Sequence, residues 1–183
     1  MIRPFARALA GLAGIALLAG CMSIPLATMW QLRGFEVADL AALDPAGVRV
    51  AGLIEPGTGR IDTAKSTLTV KLAAKGDGPD EVHAFGLETA PVQGGPILPG
   101  NDPRWQVLQL DPAGLAAMRR LQPRLARIKD DYAGWSLSVS LQLLGGPPKD
   151  VDELRFSVRV QLAADQAPMT LFDRARVPVD HGR

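Results

Sequence analysis

The chain has one cysteine, Cys21, among 183 residues, so no disulfide can form within it and a core must hold the fold by itself. Histidine is nearly as scarce, with only His83 and His181. A zinc site draws on more His or Cys than that, and a catalytic triad needs a base beside a nucleophile, yet Gly-x-Ser-x-Gly does not occur. Both histidines are read as structural or surface residues. Charge excess of either sign is missing too, with 20 Lys and Arg against 19 Asp and Glu. No electrostatic footprint for nucleic acid follows. The apolar run over residues 8–20 has 13 residues, short of the roughly 18 to 20 that carry a helix across a bilayer.

What is present begins with punctuation. Gly 19 and Pro 15 suit strands joined by turns better than long helices. The N-terminus MIRPFAR carries Arg3 and Arg7 without an acid, and residues 8–20 are all Ala, Gly, Leu and Ile. A basic segment, a short apolar run and small residues form a secretory signal peptide, so residues 1–20 are set aside from the fold.

The run ends in Leu18-Ala19-Gly20-Cys21. This resembles the lipobox of bacterial lipoproteins. The resemblance implies a diacylglyceryl group on the Cys21 thiol, cleavage before Cys21 and acylation of the new amino group. Since Met22 and not Asp follows the cysteine, it also implies an outer-membrane location facing the periplasm. One acyl chain binds only marginally, so several are needed for durable attachment. An ordinary secretory signal cut nearby and a buried thiol are the competing readings. A lone cysteine in a secreted chain is a reactive liability unless modified.

Three parts are expected: a signal peptide over 1–20, a lipidated N-terminus and tether over 21–36, and one β-rich domain over 37–180. Without residues 1–20, which take Arg3 and Arg7 from the 20 basic residues, 18 face 19 acids. The apolar stretch 22–35 reads as a first strand or turn packed on the domain, with a place at the headgroup boundary as the alternative. Residues 37–43 read as a helical turn. Strands are expected over 48–54, 67–72, 82–88, 105–110, 135–143, 154–162 and 169–179. The last three are expected to form an antiparallel meander, each with one wet face.

One principal helix follows Asp111-Pro112, an N-cap and N1 pair, with Leu115, Met118, Leu121, Leu125, Ile128 and Tyr132 at steps of three and four. Pro123 is expected to kink or split it. Arg119, Arg120, Arg124, Arg127 and Lys129 give it a basic face, which is a solvated surface unless anionic lipid or a protein meets it. The loop 90–103, rich in Gly and Pro, marks a candidate contact surface. DPAG occurs at Asp44 and at Asp111, which reads as reused turn chemistry.

Candidate chemistry is thin. Asp77, Asp80, Glu81 and His83 offer oxygens and an imidazole, but without the ligand spacing of a calcium loop. Residues 59–66 resemble a phosphate loop with Ala64 in place of a glycine, yet Lys65-Ser66 leads into a strand. Asp130-Asp131 and Asp152-Glu153 fall in polar turns. No catalytic residue, metal or cofactor is therefore assigned. The expectation is an α+β or mostly β domain, an antiparallel sheet or sandwich of about seven strands with one principal helix, hung from the outer membrane by Cys21. It is expected to act as a non-enzymatic binding or assembly module for an envelope partner. A carrier enclosing a lipid or other apolar ligand between sheet and helix is the alternative, and an enzyme using carboxylates alone the third class.

Overall fold

The computed structural model describes residues 35–56, 59–93, 95–100 and 102–179. Leu18, Ala19, Gly20, Cys21 and His181 lie outside the described residues.

Seven strands form one antiparallel sheet: β1 Arg49–Glu55, β2 Thr67–Ala74, β3 Glu81–Thr89, β4 Gln106–Leu110, β5 Tyr132–Ser140, β6 Glu153–Gln161 and β7 Met169–Pro178. Their order is β5-β2-β3-β4-β1-β6-β7. Two helices, α1 Val37–Ala42 and α2 Pro112–Ile128, pack together over one face. The α+β, largely antiparallel class is as expected.

The sheet curls strongly. β5 and β1 are separated by three strands, yet the Leu141 and Ile61 methyls both reach Gly52 on β1. A Cβ there would stand 2.8 Å from Ile61 Cδ1 and 2.9 Å from Leu141 Cδ1, so only glycine admits both side chains. Residues 60–62 extend the closure through an Ile61–Leu143 bridge and a bond from Asp62 N to Gln142 O of 2.8 Å.

Alternation places Leu68, Val70 and Leu72 of β2 inward with Leu108, Leu110, Val50 and Val160. Met118, Leu121 and Leu125 of α2 complete this core. A smaller cluster lies on the other side of β1 and β4, where Ala51, Leu53 and Val107 meet Ala90, Ile97 and Trp105. β1 is thus buried on both faces.

Both DPAG copies cap a helical turn. Asp44 Oδ1 accepts from Ala46 N at 3.0 Å before a 3-10 turn, and Asp111 Oδ1 accepts from Gly114 N at 2.5 Å at the start of α2. Their glycines also permit close packing, since a Cβ on Gly114 would lie 2.9 Å from Gly86 O on β3. That contact seats the helix N-terminus on the sheet.

Four expectations need correction. Pro123 does not split α2, which runs unbroken from Pro112 to Ile128 with Pro123 on its exposed side, where a carbonyl without an intrahelical donor is open to solvent. Tyr132 is not on the helix: a 3-10 turn over Lys129–Asp131 intervenes, and Tyr132 opens β5. β5 does not pair with β6, so the meander is confined to β6 and β7, and β5 pairs with β2 at the far edge. The polar side of β6 is wet only in part, because Ser157 and Gln161 are buried while Arg155 reaches solvent. Gln161 Nε2 donates to Ala164 O and Gln166 O, while Ser157 Oγ accepts from Arg174 N at 3.0 Å. Arg174, at φ 50°, marks a bulge where β7 slips register against β6.

Candidate functional site

Glu81 and His83 share a strand face with Phe85, and α2 lies over it. At this corner the Glu81 carboxylate gathers three partners. Tyr132 Oη donates to Glu81 Oε1 at 2.6 Å, Arg124 Nη2 donates to the same oxygen, and His83 Nε2 stands 3.2 Å from Oε2. The Tyr132 hydrogen bond, followed by those of Arg124 and His83, holds the Glu81 carboxyl below the usual carboxylate range against the opposing effect of burial. Burial first, and then the bond to Glu81, pushes the Tyr132 phenol up. Glu81 on β3 thus holds Arg124 of α2 and Tyr132 of β5 on one carboxylate oxygen. The corner therefore clasps α2 to β3 and β5.

The acids before it point elsewhere. Asp80 Oδ2 lies 2.7 Å from Lys71 Nζ, and Oδ1 accepts from Ala74 N at 3.2 Å. Among the described residues no group of three or more His, Cys, Asp or Glu is arranged to hold a metal ion. The phosphate-loop lookalike forms a 3-10 turn, Thr63–Lys65, that leads into β2. There Lys65 pairs with Asp62, and the buried Ser66 Oγ donates to Asp62 O at 2.8 Å.

The 90–103 loop is anchored to the domain at Ile97 and Gln93 and is otherwise largely exposed over its described part. Ile97 is buried in the smaller core, and Gln93 bonds Val107 in both directions, at 3.0 and 2.9 Å. Arg159 Nη1 donates to Ile97 O at 2.7 Å from beneath. Arg159 Nε is buried without a partner, and desolvation lowers this guanidinium's pKa from its ordinary value. Beside the loop, Glu55 takes Arg104 Nη1 at 3.1 Å and Arg174 Nε at 3.5 Å. Glu153 takes Arg155 and Arg176. These four arginines are bound into an acidic framework.

The outer face of α2 differs. Arg119, Arg120 and Arg127 are exposed and have no hydrogen bond or ion pair among the described residues. α1 lies alongside, held by Gln122 Nε2 donating to Leu43 O at 2.6 Å. The first described residue, Phe35, packs its ring against Trp135 at a tilt of 57° with centroids 5.2 Å apart, and its carbonyl accepts from Trp135 Nε1 at 2.8 Å. A cleft of about 430 Å³ opens there, with Lys75 and Lys129 on its wall.

Sequence reasoning singled out the basic helix face and His83. It missed the clasp, because Glu81 and Arg124 are 43 positions apart and no local pattern joins them. Comparison with protein-family models, with curated proteins and with solved structures found no match to this chain.

Proposed function

We propose that this chain is a non-enzymatic binding or assembly module of the bacterial envelope, held at the periplasmic face of the outer membrane by acyl groups on Cys21. The observation that carries this reading is Leu18-Ala19-Gly20-Cys21, placed directly after a basic segment and a 13-residue apolar run. A lipid there confines the domain to a surface and raises its effective concentration toward any partner held at the same surface. Fourteen chain steps separate Cys21 from Phe35, so the docked Phe35 lies within about 50 Å of the anchor even at full extension.

Recognition at the outer surface of the domain is favoured over enclosure of an apolar ligand by the filling of the curled sheet. Ile61 and Leu141 press on Gly52, and Met118, Leu121 and Leu125 close the opening from α2.

The test is metabolic labelling with an alkyne fatty acid. The wild-type chain is expected to take the label and sediment with membranes, and Cys21→Ser to lose both properties. A soluble wild-type chain that keeps Met1 and a free thiol sinks the proposal. Lipid found by native mass spectrometry on the protein, beyond its covalent acyl groups, would move the reading to the carrier.

A further inference from the structure

Between Pro112 and Ile128, α2 contains no acidic residue. At about 100° per residue, Arg119, Arg120 and Arg127 fall within about 100° of arc, with the exposed Ala116 between them. They lie opposite the buried Met118, Leu121 and Leu125. Lys129 continues the charge beyond the helix end.

Of the other exposed cations, Lys71 holds Asp80, Arg104 holds Asp102 and Glu55, Arg174 holds Glu55 and Arg124 holds Glu81, while Arg60, Lys75 and Lys149 stand singly, so the outer face of α2 is where unpaired cations are grouped. Asp130 and Asp131 follow beyond the end of α2, in the turn Lys129–Asp131, and the acids at its start and alongside it are already engaged. Asp111 caps α2, and Glu36 and Asp39 form the capping box of α1. Three unopposed guanidinium forks on a rigid helix form a surface suited to phosphate, which they bind in a planar, two-pronged way.

The chain's entry route points the same way. Phe35 leads into α1, and α1 packs along α2. The described chain therefore begins beside the α1–α2 layer, which places the attachment point of the tether on that side of the sheet.

We propose that the outer face of α2 rests on anionic phospholipid headgroups of the membrane that holds the protein, with Arg119, Arg120 and Arg127 taking lipid phosphates. This rests on the Cys21 anchor proposed above. Docking leaves the opposite side of the sheet and the 90–103 loop turned toward the periplasm for a partner.

The test uses the full lipid-bearing chain with Ala116→Cys carrying a fluorophore, reconstituted in vesicles that contain a quencher-labelled lipid. A second preparation carries the fluorophore at Lys149→Cys, in the loop before β6. With 30 mol% phosphatidylglycerol the label at position 116 is expected to be quenched and the label at 149 not. In pure phosphatidylcholine, or at high salt, the quenching at 116 is expected to be lost. Neutralising Arg119, Arg120 and Arg127 together to Gln should shift the docked-to-undocked ratio by on the order of 100-fold, at about five-fold per cation. A thermal melt of that variant verifies that it remains folded.

Quenching at 116 that ignores phosphatidylglycerol content, or persists in the triple variant, overturns the proposal. So does an unquenched label on anionic vesicles, which would leave an acidic protein surface as the occupant. Failure of the anchor reads out separately, as a protein that does not float with pure phosphatidylcholine vesicles and takes a second fluorophore at Cys21.

Discussion

Arg124 and Arg127 stand one turn apart on α2 and are used in opposite ways. Arg124 reaches the Glu81 carboxylate alongside the Tyr132 hydroxyl, and its guanidinium pKa is raised, chiefly by that hydrogen bond. Arg127, with Arg119 and Arg120, meets no acid among the described residues. Their surroundings set them apart, since one side of the helix overhangs the start of β3 and the other faces outward. A count of charges along α2 treats all four as one basic face; the sheet beneath removes Arg124 from it. Cations that hold the fold together can thus be separated from cations free to meet something else.

The largest effect expected comes from unseating the helix that carries both kinds. Leu125 is fully buried in the main core between the sheet and α2. Leu125→Ala removes contacts that no neighbour replaces and should cost about 2–5 kcal/mol in denaturant unfolding. Hydrogen exchange is expected to rise first across α2 and the Glu81 end of β3, which the clasp links. A loss below about 1 kcal/mol would mean that the clasp, and not the apolar face, secures the helix.

Next in size is the clasp itself. Glu81→Gln keeps an oxygen for Tyr132 but leaves Arg124 without its counter-charge, at a cost of about 1–2 kcal/mol at neutral pH. The pH dependence gives this a sign. Because Glu81 titrates lower in the folded chain than in the unfolded one, its contribution is fully present above the unfolded value of about 4.3 and is lost as pH falls through the folded value. The stability gap between wild type and Glu81→Gln should therefore be wide at pH 7 and close in acid, as urea melts across that range will read. A gap that stays constant down to pH 2 would refute an ionised Glu81 at this corner.

How much of this was legible in the sequence depends on how far each signal reaches. The start of α2 was readable because Asp111-Pro112 is local capping chemistry, and β2 because Leu68, Val70 and Leu72 alternate with Thr and Lys. Tyr132 was misplaced because it continues the spacing of α2 by four residues, while the 3-10 turn that breaks the helix has no strong sequence marker. Pairing was not legible at all. β5 and β6 are consecutive and both two-faced, which suits a hairpin, but the curl of the sheet puts them at β2 and β1. Alternation also marked Ser157 and Gln161 as wet, when both are buried and bonded to backbone. The five basic residues after Pro112 were visible as a set. Which of them are free depends on Glu81, a partner that only the folded sheet brings within reach.

The smallest expected effect is the one that sharpens the contrast most. Changing Arg119, Arg120 and Arg127 together to Gln removes three charges from the helix, yet none of them has a partner to lose and the helix keeps residues of similar helix propensity. Stability should stay within about 0.5 kcal/mol of wild type, or rise slightly as Arg120 and Arg127 stop repelling Arg124, which lies one turn from each. Arg124→Gln alone should cost more than all three changes combined, although it removes one charge against three. If the triple variant is instead the less stable of the two, the outer arginines belong to the structure's internal framework, and the division between bound and unbound cations on α2 does not hold.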